Sequence, residues 1–243
     1  MIGLEPGSML KEKPPFLARA ADILRGLYRE ERAMWTAHYK RYFMIAARAL
    51  GIGFVVGFVY FMVRPEQEKQ ALAFLMKALK DIPLGASPLD LALTLFYHNA
   101  RASALAVAAG IIPFACLPAL DPIANGAALG LLASVSKHQG FNVPLLFLKS
   151  VAPHGIIELP AVLYATSNGI YLSVSLAKRV LAKLRKRKDG GADSGGFLEA
   201  YPRKAETETE GAGANVVRSF MIVVLPLLLV AAFVEAFITP VLH

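Results

Sequence analysis

The sequence predicts an all-α, polytopic membrane helix bundle, and three observations lead there. Apolar residues fill 56% of the 243 positions and the mean hydropathy is +0.49, well above the level of soluble domains. They are gathered in blocks close to the roughly 20 residues that a helix needs to cross hydrocarbon. The 26 Lys and Arg residues cluster beside those blocks, as cytoplasmic flanks facing anionic lipid do. The formal charge of +8 is thereby accounted for by the lipid bilayer, and a nucleic-acid partner is not expected. The lone Cys116 excludes an intramolecular disulfide and any multi-cysteine metal site. Residues 1–40 hold no uninterrupted apolar stretch with a cleavage site, so insertion is expected to start at the first span rather than at a signal peptide.

The elements follow in order. Residues 1–41 form a cytoplasmic segment in which Phe16, Ala20, Ile23, Leu24 and Leu27 recur at helical spacing, predicting an amphipathic surface helix over 16–39. A first span covers about 42–63 and ends at Arg64-Pro65. Residues 66–81 place Leu72, Leu75, Met76 and Leu79 on one face but are too short to span, which predicts an interfacial helix. Second and third spans cover about 89–114 and 119–136, separated by the CLPA turn. Residues 143–152 are apolar and short, and Pro153 is expected to interrupt them, giving a half-helix or re-entrant piece before a fourth span at about 154–177. A loop at 178–214 is basic in its first part and rich in Gly, Glu and Thr in its second. The fifth span, about 216–239, leads into a short C-terminus. Eight Lys/Arg in 1–41 and ten in 178–218 make eighteen on one side against six on the other. That asymmetry predicts an inner-membrane protein with the N-terminus cytoplasmic and the C-terminus outside.

Charged and polar groups inside the spans are the candidate functional residues: Arg48, His98, Asn99, Arg101, Asn125, His154, Glu158 and Glu235, with Asn168 in support. A charge at a helix centre costs about 2.5–3.5 kcal/mol on insertion scales, so these groups are expected to face protein or water and to pair. Two arginines balance two glutamates, which predicts Arg101–Glu158 and Arg48–Glu235 pairs, or the same groups with partners exchanged. His98 and Arg101 share a helix face at i,i+3, as do His154 and Glu158 at i,i+4. Pro153 suits a first helical turn, Gly155 permits close helix approach, and Pro160 removes a backbone bond and bends the helix past Glu158.

Three roles for His154 and Glu158 stay open: bonds that fix the bundle, a proton or solute path, and catalysis. The order HxxxE is not the HExxH of zinc proteases, and no GxSxG elbow is present. No metal, cofactor or catalytic residue is therefore assigned, although His98, His154 and Glu158 are the set an intramembrane enzyme would use. Two glycine patterns, GFVVG (Gly53 to Gly57) and NGAALG (Asn125 to Gly130), suit close helix contact.

FYHNARASALAVAAG, NGAALG, PHGIIELPA and VEAFITP, in that order, resemble the stage II sporulation protein M family of membrane proteins over about residues 95–240. The matching positions are Asn99, Arg101, Asn125, Gly126, His154, Gly155, Glu158, Pro160, Glu235 and Pro240, while the first 90 residues match loosely and the charged loop at 178–214 departs from the simplest pattern. The resemblance implies a non-enzymatic scaffold that recruits cell-wall-degrading or other envelope partners, with homo-oligomerisation compatible with that role. The residues alone also allow a permease-like or ion-coupled protein whose polar groups line a cavity.

Overall fold

The computed structural model describes residues 15–78, 87–114, 117–188 and 211–239, and every described element is helical. The chain divides into two compact units, Met1–Ala37 and His38–His243. The first holds a 20-residue helix, α1 (Pro15–Met34), on which Ile23 and Leu24 are exposed. Phe16 and Leu17 lie outside the described side chains.

The second unit is a bundle. Its helices are α2 (Lys40–Val63), α3 (Pro65–Ala78), α4 (Pro88–Ala109), α5 (Leu120–His138), α6 (Val143–Leu146), α7 (Ala152–Lys188), α8 (Ala212–Ser219) and α9 (Leu225–Phe237). Three stretches are long and apolar enough to cross a membrane: Arg19–Val63, Leu117–His138 and Ala212–Phe237. They carry the expected first, third and fifth spans. Helices α4 and α7 cover the residues of the expected second and fourth spans, but they are not among these three stretches.

Local sequence explains where these helices begin and end. Ser87 caps α4: its Oγ accepts the Asp90 amide at 3.2 Å and donates to the Asp90 carboxylate at 2.6 Å, with Pro88 in the first turn where no donor is needed. Asn142 caps α6 in the same way, its Oδ1 accepting Leu145 N–H at 3.1 Å. The C-terminus of α5 closes through Gly140 at φ +80, with Phe141 N–H bonded to Ser136 O at 3.0 Å and Gly140 N–H to Lys137 O at 3.1 Å. That is a Schellman closure, and its left-handed residue favours glycine.

The segment before α7 differs from the sequence expectation. Residues 143–152 are not a separate half-helix. The helical path runs from α6 through a π turn, Phe147–Val151, directly into α7. Proline clashes with the carbonyl four residues back, and a widened turn moves that carbonyl aside. The same device recurs before Pro226, where the π turn Phe220–Val224 leads into α9. Pro160 is also accommodated within α7, and that helix continues past residue 177 to Lys188, so the basic start of the 178–214 loop is helical. The Gly/Glu/Thr-rich part of the loop, Leu79 and Pro240 fall outside the described residues.

The tightest packing is α2 on α5. A methyl added at Gly53 would lie 2.3 Å from Ile123 O, and at Gly57 2.8 Å from Ala127 O. At Gly126 it would meet Leu50 O at 2.1 Å, and at Gly130 the Phe58 amide nitrogen at 2.5 Å. Both glycine patterns therefore face each other, backbone against backbone. The register rises together, Gly53 beside Ile123 and Gly57 beside Ala127, so the two helices are parallel. Helices α4 and α7 are parallel as well: Gly110 abuts Gly169 and Ser173 Oγ donates to Ile112 O at 3.0 Å, while Gly169 abuts Ala106.

Gly126→Ala should destabilise the bundle by about 1–3 kcal/mol in reversible SDS unfolding, since the added methyl overpacks a rigid backbone contact. Gly51→Ala, in the same helix with nothing within 4 Å of the new methyl, should be neutral or slightly stabilising.

Candidate functional site

Three polar contacts stand out among those that tie the described helices of the second unit together. The first joins α3 to α5. Glu68 is only 8% exposed, and its carboxylate accepts the Ser134 hydroxyl, which is fully buried. His138 Nδ1 lies 3.0 Å from one carboxylate oxygen and 3.1 Å from the other. A carboxylate only accepts, so this contact places a proton on Nδ1. Ser134 and His138 stand at i,i+4 on one face of α5, and Pro65 and the acidic first turn start α3 so that Glu68 turns inward.

The second gathers α2, α7 and α8. Tyr39, fully buried, meets Tyr164 and Tyr171 edge-on at ring-centre distances of 5.7 and 5.3 Å. Its hydroxyl receives a hydrogen bond from Ser219 Oγ at 3.2 Å. His38 packs on Tyr171 at 5.2 Å. In the third, Thr166 Oγ1 reaches Asp121 Oδ2 at 3.5 Å, linking α7 to the start of α5.

One buried group in this region is left over. Asn168 is fully buried, and neither amide atom is hydrogen-bonded among the described residues. Tyr164 and Tyr171 flank it at i−4 and i+3, which puts Asn168 on the face of α7 that holds Tyr39. Ser103 on α4 is likewise buried with its hydroxyl unpaired.

Apart from Asn168 and Asn125, which hydrogen-bonds the Asp121 side chain, the residues singled out from the sequence lie away from these contacts. Arg48 on α2, Arg101 on α4 and Asn125 on α5 are exposed on the outside of the packed chain. His98 and Asn99 on α4 are half-buried, with the His98 ring edge-on to Tyr97 at 6.1 Å. Glu158 on α7 and Glu235 on α9 are half-buried, and Glu235 accepts the Thr239 hydroxyl at 2.8 Å. Gly155 is buried, Pro153 half-buried and Pro160 exposed; the side chain of His154 lies outside the described residues, although its backbone is part of α7.

The Glu68 contact escaped the sequence reading because residues 66–81 look like a solvated interfacial helix. A signal was there: Glu68 stands at i,i+4 and i,i+7 to Leu72 and Leu75, on the apolar face, while Glu66 pairs outside with Lys69 at 3.1 Å. Leu72 and Leu75 are half-buried, whereas Met76 is exposed.

The stage II sporulation protein M family profile matches residues 44–240, most of the chain, from the second turn of α2 onward. The chain belongs to the stage II sporulation protein M family. No curated protein and no solved structure matches it. The family match covers the glycine-faced α2–α5 pair, the Glu68 contact and the stretch from Pro153 to Pro160. As a family member with three helices fit to cross a bilayer, it is a membrane protein.

Glu68→Ala should destabilise by about 1–3 kcal/mol, because it strands the buried Ser134 hydroxyl. In a double-mutant cycle with Ser134→Ala, measured by SDS unfolding, the two losses should be less than additive by about 0.5–3 kcal/mol.

Proposed function

We propose that this family member is a five-span inner-membrane scaffold that holds envelope- or cell-wall-remodelling partners through its intramembrane surface. The observation that carries the reading is the exposure of Arg48 and Arg101 on helices of the bundle. A guanidinium facing hydrocarbon costs a few kcal/mol, and a protein partner that offers carboxylates or carbonyls removes that cost. The buried polar groups, by contrast, are mostly engaged in joining helix to helix, which suits a framework.

The parallel pairs support five crossings. Two spanning helices that run in parallel require the chain between them to return once, so α4 crosses between α2 and α5. The parallel α4–α7 pair asks the same of α5. Counting Lys and Arg then puts the N-terminus in the cytoplasm and the C-terminus outside. A cysteine at Gln139 and one at Lys69, in a Cys116→Ser background, should then be labelled from the same outer face by an impermeant reagent. Labelling from opposite faces would remove the five-span arrangement.

Arg48→Leu combined with Arg101→Leu should insert and melt like the parent, yet lose at least about tenfold in crosslinked recovery of envelope partners, from roughly 1.4 kcal/mol or more of lost contact. Unchanged recovery would sink the scaffold reading.

A permease-like second reading draws on Asn168, whose unpaired amide faces the Tyr39–Tyr164–Tyr171 group. Asn168→Leu separates the two. In a scaffold it relieves an unpaired amide and leaves partner recovery intact; in a permease it abolishes flux from a folded protein.

A further inference from the structure

At the end of the bundle where α2 passes α5, a groove of about 520 Å³ is walled by Phe54, Phe58 and Ala133 and closed at its rim by Lys137, Phe141 and Asn142. We infer that this groove is a binding site for an anionic phospholipid, with an acyl chain against the phenylalanines and the phosphate at Lys137.

Several observations converge on that ligand. The volume falls within the roughly 300–1,000 Å³ of small-molecule sites. Phe54 and Phe58 stack one turn apart, ring centres 6.4 Å and planes 8° apart, and Phe147 closes edge-on at 6.3 Å from Phe54. They form a flat apolar wall that runs along α2. Ile52, Val55 and Val59 on the same helix are exposed, so the groove is continuous with a surface that faces lipid, and its occupant enters sideways from the bilayer. An apolar solute would need only the wall. The rim adds an exposed ammonium from Lys137 in the last turn of α5, and among the described residues no carboxylate pairs with it. The nearby acid, Glu68, is committed to Ser134 and His138. Apolar wall below and unpaired cation above match an acyl chain below and a phosphate above. Basic pockets between spanning helices hold anionic headgroups by this division of labour.

The glycine contact makes the groove. Because α2 and α5 touch through backbone at Gly57 and Gly130, the bulky Phe54 and Phe58 side chains are turned to one side, where they stand as a wall across the groove from Val143 and Pro144 of α6.

The test uses the full-length protein in nanodiscs. The chain has one tryptophan, so Phe58→Trp in a Trp35→Phe background leaves a single reporter in the groove. Brominated phosphatidylglycerol and brominated phosphatidylcholine are titrated separately at equal mole fraction into unbrominated phosphatidylcholine. The expected result is quenching by the anionic lipid at about five-fold lower mole fraction, the preference that one basic side chain supplies. Lys137→Gln, an exposed substitution that leaves the wall intact, should reduce the ratio to about one. Equal quenching by the two lipids, a preference that survives Lys137→Gln, or no quenching by either lipid would each overturn the proposal. Added millimolar inorganic phosphate should leave the ratio unchanged; if it abolishes the preference, free phosphate is the ligand and the lipid assignment is wrong.

Discussion

The contact of α2 with α5, made by backbone against backbone at four glycines, is the constraint on which the remaining architecture rests. Inside a bilayer, helices gain nothing by hiding apolar surface from water, because lipid is as apolar as a leucine side chain. Association there depends on close packing and on a few polar bonds. Gly53, Gly57, Gly126 and Gly130 allow an approach in which any larger residue would strike main-chain atoms. The two helices of this pair run parallel, and α7 runs parallel to α4 in the same way.

Polar bonds complete what the glycines begin, and they do so at both ends of the bundle. Glu68 ties the short helix α3 to Ser134 and His138 near the end of α5. Tyr39 and Ser219 join the beginnings of α2 and the α8–α9 helix at the opposite end. Asp121 and Thr166 brace the start of α5 against the middle of α7. Because a buried hydroxyl or carboxylate that loses its partner costs more than the bond itself contributes, each contact specifies a register as well as adding stability.

Much of this was legible in the sequence, and the failures have particular causes. The apolar blocks located α2, α5 and the α8–α9 helix, and the two glycine patterns did mark the tightest contact. The expected break at Pro153 did not occur, because a π turn can absorb a proline and periodicity carries no sign of one. Glu68 was missed because its partners lie 66 and 70 residues away in sequence. Arg48 and Arg101 were expected to face protein or water and to pair, since charge alone does not reveal which side of a helix meets the rest of the chain. Their exposure is a fact of packing.

The glycine contact also has a consequence for biogenesis. Gly53 and Ile123 are separated by 70 residues, so the N-terminal helix enters the bilayer well before its mate exists. At about 5–20 residues per second, translation leaves it without that mate for roughly 4–14 s. During that interval its smooth glycine face and Arg48 are available to chaperoning factors or to a wrong neighbour. Slow elongation across the segment between the two helices would lengthen the exposure, and faster elongation would shorten it. Speed of synthesis thus becomes a determinant of how much of this protein assembles correctly.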